Sequence, residues 1–122
     1  MRLLAFFGLL SLLTLTATAA DISGTWKGTA ERGPNGPMER TFVFKVDGNK
    51  LTGETTSSLL GKSEIIDGKI DGNNISFSIT ARYQDNEVRI NYDGKVRGKE
   101  ITLTANVAGV DQSYEWRLKK VM

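Results

Sequence analysis

Arg40, Glu64, Tyr83, Tyr92 and Tyr114 are the side chains in this sequence whose types and strand positions suggest one polar site. Thr55 and Ser57 fall in step with them. A guanidinium, a carboxylate and phenols gathered at one end of a fold form either the polar rim of a cavity or an ion pair reaching solvent. The carboxylates Glu31, Glu39, Glu64, Asp85 and Asp111 are candidates for an acid–base pair, but no spacing singles out two of them. The chain has no histidine, so it lacks an imidazole base, a Ser-His pair and a histidine metal ligand. It has no cysteine, so thiol nucleophiles, zinc–sulfur sites and disulfides are excluded. Catalysis is therefore not expected, and neither is a cofactor. The Asp-Gly-Asn turns lack the alternating oxygen ligands of a calcium loop, so no metal site is expected.

The elements that must position these groups begin after a leader. Arg2 precedes the apolar run 3–13, and Ala17-Thr18-Ala19-Ala20 supplies small residues for a signal peptidase. Cleavage after Ala19 and cleavage after Ala20 fit equally. A leader of residues 1–20 leaves a single domain, 21–122, in a secreted or periplasmic protein with no membrane anchor. Losing Arg2 takes the formal charge from +2 to +1, with both signs interspersed, so nucleic acid is not the expected partner.

Within that domain the periodicity is two throughout. In residues 74–83 the odd positions Ile75, Phe77, Ile79, Ala81 and Tyr83 are all apolar or aromatic, and no even position is. Similar alternation over 24–30, 40–47, 50–56, 64–71, 87–97, 100–108 and the C-terminal segment predicts eight strands and no helix. In 64–71 the inward set is read as Ile66, Gly68 and Ile70, which also turns Glu64 inward. Residues 31–39, with Pro34, Pro37 and two glycines, and residues 57–63, with Leu59-Leu60-Gly61, read as loops. The predicted fold class is all-β: an eight-stranded antiparallel up-and-down barrel, preferred to a sandwich because closure leaves no open edge.

The motif Asp67-Gly68-Lys69-Ile70-Asp71-Gly72 recurs as Asp93-Gly94-Lys95-Val96-Arg97-Gly98, and Val46-Asp47-Gly48-Asn49 is a looser copy. Pairing Val46 with Leu51, Ile70 with Ile75 and Val96 with Ile101 turns each apolar pair inward. The loops left over are Gly48-Asn49, Gly72-Asn73 and Gly98-Lys99, and a leading glycine suits a type II′ turn. The same register sets Asp47 against Lys50 and Arg97 against Glu100. It also sets Phe44, Phe77 and Leu103 across from Gly53, Gly68 and Gly94. Those glycines either let the sheet coil under large side chains or leave room for a ligand. All three tight turns fall at one end, so a mouth belongs at the other.

Gly24-Thr25-Trp26, followed by Phe42-x-Phe44-x-Val46 and Leu51-Thr52-Gly53, resembles the calycin superfamily. Lipocalins carry Gly-x-Trp at this place, and avidins pair Gly-Thr-Trp with Leu-Thr-Gly. The resemblance implies an eight-stranded barrel floored by the tryptophan and a small hydrophobic molecule bound inside. Lys27-Gly28-Thr29 departs from the avidin pattern, so biotin is not implied. The expected ligand-binding residues are Trp26, Arg40, Phe42, Glu64, Tyr83, Tyr92, Tyr114 and Trp116. The alternative is an interaction or inhibitor module acting through its loops, with Val43, Ile65 and Leu59-Leu60 as its apolar contacts.

Overall fold

The computed structural model describes residues 20–33, 36–57, 61–83, 85–109 and 113–121; the expected leader up to residue 19 and the Leu59-Leu60 loop lie outside them. Eight strands follow in order: β1 (Gly24–Gly33), β2 (Gly36–Asp47), β3 (Lys50–Ser57), β4 (Gly61–Asp71), β5 (Asn74–Tyr83), β6 (Asn86–Arg97), β7 (Glu100–Val107) and β8 (Ser113–Lys120). Each pairs antiparallel with the next, and β1 pairs with β8 from Trp26↔Lys120 to Thr29↔Arg117, which closes the barrel. Closure leaves no unpaired sheet edge in a chain without disulfides.

The hairpin grammar sets the register as expected. Val46 lies opposite Leu51, Ile70 opposite Ile75 and Val96 opposite Ile101. Gly48, Gly72 and Gly98 have φ of 64°, 59° and 63°. Their partners Asn49, Asn73 and Lys99 are not in the positive-φ region, the combination a type II′ turn requires.

Two stretches differ from the alternation, and the loop expected at 57–63 is shorter than read, since β3 runs to Ser57 and β4 starts at Gly61. Residues 31–39 are mostly strand: β1 runs to Gly33, which lies opposite Gly36, and a register shift after Ala30 absorbs one residue. Pro37 is tolerated because it is the second residue of β2, where a missing N–H interrupts little of the ladder. The second difference is in β4. Ile66 pairs with Ser78 and Lys69 with Ser76, so Asp67 and Gly68 together oppose Phe77. This β-bulge, with Asp67 at φ 53°, inverts the facing of everything before it. Ile65 is therefore in the core, 5% exposed, and Ser63 is buried, whereas Glu64 is exposed on the outside opposite Glu54. The inward placement of Glu64 and the outward placement of Ile65 are thus corrected. Periodicity cannot show the reversal because Ile65 and Ile66 are adjacent and equally apolar.

The interior is filled rather than hollow at mid-height. Phe42 touches the rings of Phe44, Phe77, Tyr92 and Trp116 at centroid distances of 5.8–6.2 Å, and Phe77 stacks on Tyr92 at 4.8 Å. The strand glycines serve close backbone approach. A Cβ on Gly53 would lie 1.9 Å from the Val43 carbonyl oxygen, and one on Gly94 would lie 2.3 Å from that of Thr102. Of the two readings of these glycines, tight coiling of the sheet is the one observed.

Candidate functional site

The two ends of the barrel are built differently. At the end with the glycine hairpins, the segment before β1 folds over the opening. Ala20 N–H donates to the Gly72 carbonyl at 2.9 Å, Val46 N–H donates to Ser23 Oγ at 3.0 Å, and Ile22 inserts its side chain until it is 1% exposed. Trp26 lies beneath, its indole N–H donating to the Ile22 carbonyl at 2.9 Å and Lys120 Nζ standing 5.8 Å from its ring. Trp26 therefore turns its indole to the sealed floor, with Phe42 as its cross-strand neighbour on β2.

The opposite end gathers polar groups inside an apolar collar. Met38, Val88, Val107 and Tyr114 are half-buried against the core near the ends of β2, β6, β7 and β8 that face this side. Below the collar lies Arg40, only 4% exposed. Its Nη1 donates to Thr55 Oγ1. Its guanidinium carbon stands 6.0 Å from the centre of the Trp116 ring. Thr55 and Ser63, directly opposite each other on β3 and β4, are also buried. Across β6, β7 and β8 the inward row reads Tyr92, Ala105, Tyr114, so a small side chain separates the two phenols. Among the described residues the arrangement reverses the expected polar rim around an apolar body: the charge of Arg40 lies below the apolar collar.

Among the described residues, three buried polar atoms in this region have no hydrogen-bond partner: Arg40 Nε, Tyr92 Oη and Trp116 Nε1. Buried polar groups in native proteins are nearly always satisfied, so each such atom calls for a reason. The ion pairs among the described residues, Lys27–Glu39, Lys62–Glu54, Arg89–Asp67 and Arg117–Glu115, are on the outer surface, and none includes Arg40. Burial pushes the Tyr92 phenol well above its ordinary pKa, and the nearby Arg40 charge offsets part of that rise. Tyr114 is raised for the same reason, again opposed by Arg40. Both phenols therefore hold their protons at neutral pH. The site's resting state is one fixed positive charge among neutral hydroxyl and indole groups.

Of the residues expected to bind ligand, the structure brings together Arg40, Phe42, Tyr92, Tyr114 and Trp116. Trp26 lies opposite Phe42 with its indole N–H committed to the floor, and Glu64 is outside. The side chain of Tyr83 lies outside the described part of the structure. Ser63 was missed because its inward facing depends on the bulge. Its only sequence signal is Asp67-Gly68 interrupting an apolar alternation. Hollows on the outer wall, such as the one between β6, β7 and β8 lined by Asp93, Lys95, Glu100, Thr102, Glu115 and Arg117, carry solvated charges of both signs. No protein-family model matches the chain, and no curated protein or solved structure does either.

Proposed function

We propose that this chain is an exported calycin-like barrel that binds a small, largely apolar molecule at the end opposite the glycine hairpins. The observation that carries the reading is the buried Arg40–Tyr92–Trp116 group, three of whose polar atoms have no partner among the described residues beneath an apolar collar. A site that binds a small molecule typically combines apolar walls with a few convergent polar groups, and only this end of the barrel has that combination among the described residues. The calycin part of the reading is supported by Gly24-Thr25-Trp26 opening β1, by the closed meander, and by Trp26 lying at the sealed floor. The leader-like residues 1–20 support export.

The rings of Phe42, Phe77, Tyr92 and Trp116 already meet across the lumen, which restricts the ligand to the upper part of the barrel. A short or slender molecule fits this limit better than a bulky one. Trp116 reports on the site, so titrating purified protein with decanol and with decanoate while following tryptophan emission tests the reading. Saturable change with at least one of them is expected. No change with either, at concentrations up to their solubility, would contradict it.

A further inference from the structure

We propose that the group Arg40 receives is a carboxylate, so that the ligand is an amphipathic monoanion bound head-inward, with its apolar part against Met38, Val88, Val107 and Tyr114. This rests on the small-molecule reading above and specifies its chemistry.

Donor type narrows the ligand first. A guanidinium and an indole N–H only donate, and a phenol holding its proton can donate too. The three unpartnered atoms, Arg40 Nε, Tyr92 Oη and Trp116 Nε1, therefore ask for an acceptor. Charge narrows it further. Arg40 is 4% exposed, and the other buried polar residues among those described, Thr55, Ser63 and Ser78, are neutral. An alcohol or amide oxygen would satisfy donors but leave a buried cation uncompensated, whereas buried charges are ordinarily paired. One arginine calls for one negative charge. The fork of a guanidinium fits a planar two-oxygen acceptor, and such charge-assisted bonds are stronger than neutral ones.

Position supplies the rest. Arg40 lies one inward step below Met38 on β2, Tyr92 two steps below Val88 on β6, and Trp116 one step below Tyr114 on β8. A head group reaching Arg40 must pass the collar, and whatever follows the head stays in contact with it. The closed ring cluster below stops deeper entry. A carboxylate attached to an apolar chain suits this order. A small hydrophilic anion would leave the collar unused.

The test compares decanoate, decanol, acetate and inorganic phosphate on the wild-type protein, on Arg40→Met and on Tyr92→Phe, with thermal melting of each unliganded protein alongside. Decanoate is expected to bind about tenfold to a hundredfold more tightly than decanol, the range for hydrogen bonds to charged groups. Arg40→Met should abolish that preference, and Tyr92→Phe should weaken decanoate about threefold to tenfold. Unliganded Arg40→Met should melt at or above the wild-type temperature, because an uncompensated buried charge has gone. A merely structural arginine would not give that result. Phosphate or acetate binding as tightly as decanoate would overturn the proposal, as would an Arg40→Met protein that melts lower yet keeps the preference. Equal binding of decanoate and decanol, both insensitive to Arg40→Met, would overturn it while leaving small-molecule binding standing. Failure of every ligand would remove both.

Discussion

Tyr92 shows how much of the site is settled by single side chains. Strand alternation already placed it inward, because its neighbours Ile90, Gly94 and Val96 share its parity. The sequence could not reveal that its hydroxyl would be left without a partner, since that depends on where strands distant in sequence converge. Burial raises its pKa in the folded state above the ordinary phenol value near 10. The folded protein therefore keeps a proton that the unfolded chain releases above about pH 10. Stability from this source is fully present below that pH and is lost as pH climbs toward the folded value, with a slope of up to about 1.4 kcal/mol per pH unit. Urea unfolding at pH 8, 10 and 11 should show Tyr92→Phe losing stability less steeply than the wild type above pH 10. Parallel slopes would mean that the phenol is not held neutral by burial. Arg40 was equally legible as inward-facing, whereas Glu64 was not legible as outward. One alternation holds along the whole of β2 between its ends, and the alternation in β4 is broken.

At the scale of elements, the bulge in β4 is the feature that redistributes side chains between core and surface. Asp67 occupies the left-handed region there, a conformation in which aspartate and asparagine are tolerated and β-branched residues are strained. Arg89 Nη2 reaches its carboxylate at 2.8 Å and also donates to Ser78 Oγ at 3.2 Å, tying the bulge to β5 and β6. The ion pair is exposed and contributes little by itself. Asp67→Asn should therefore be near neutral, while Asp67→Val should cost about 2 kcal/mol, chiefly through backbone strain. Chemical denaturation of the two variants checks the order, and equal losses would place the effect in the ion pair. The element before β1 carries its own weight. Ile22 is buried to 1% exposure above Trp26, so Ile22→Ala should destabilise by about 3 kcal/mol and shift Trp26 emission to the red as water reaches the floor. An unchanged midpoint would show that the segment merely rests on the barrel. This plug was not readable in advance, since Asp21-Ile22-Ser23 has no periodicity to mark it. The extension of β1 and β2 through Gly33 and Gly36 was hidden by Pro34 and Pro37, which are ordinarily loop signals.

At the scale of the whole molecule, closure and asymmetry follow from one another. The hairpins led by Gly48, Gly72 and Gly98 end three connections at the same level, and the chain before β1 seals that level. Polar groups that must be buried without local partners are thereby displaced toward the opposite end. The closed meander was legible from period-two strands, and the tight end from the repeated turns. What sequence could not supply was the filling of the lumen, because whether Phe42, Phe77, Tyr92 and Trp116 meet or stand apart depends on the barrel's girth. The molecule contains two tryptophans, Trp26 turned to the floor and Trp116 beside Arg40. Trp26 has its indole N–H bonded to a backbone carbonyl, and that of Trp116 has no partner. A proton–nitrogen correlation spectrum recorded while decanoate is added therefore reads the candidate site against an internal control. The Trp116 indole proton should move downfield to a saturable limit while that of Trp26 stays in place. If Trp116 is unmoved at saturating decanoate, or if only Trp26 responds, the binding site assigned to the Arg40 end is wrong.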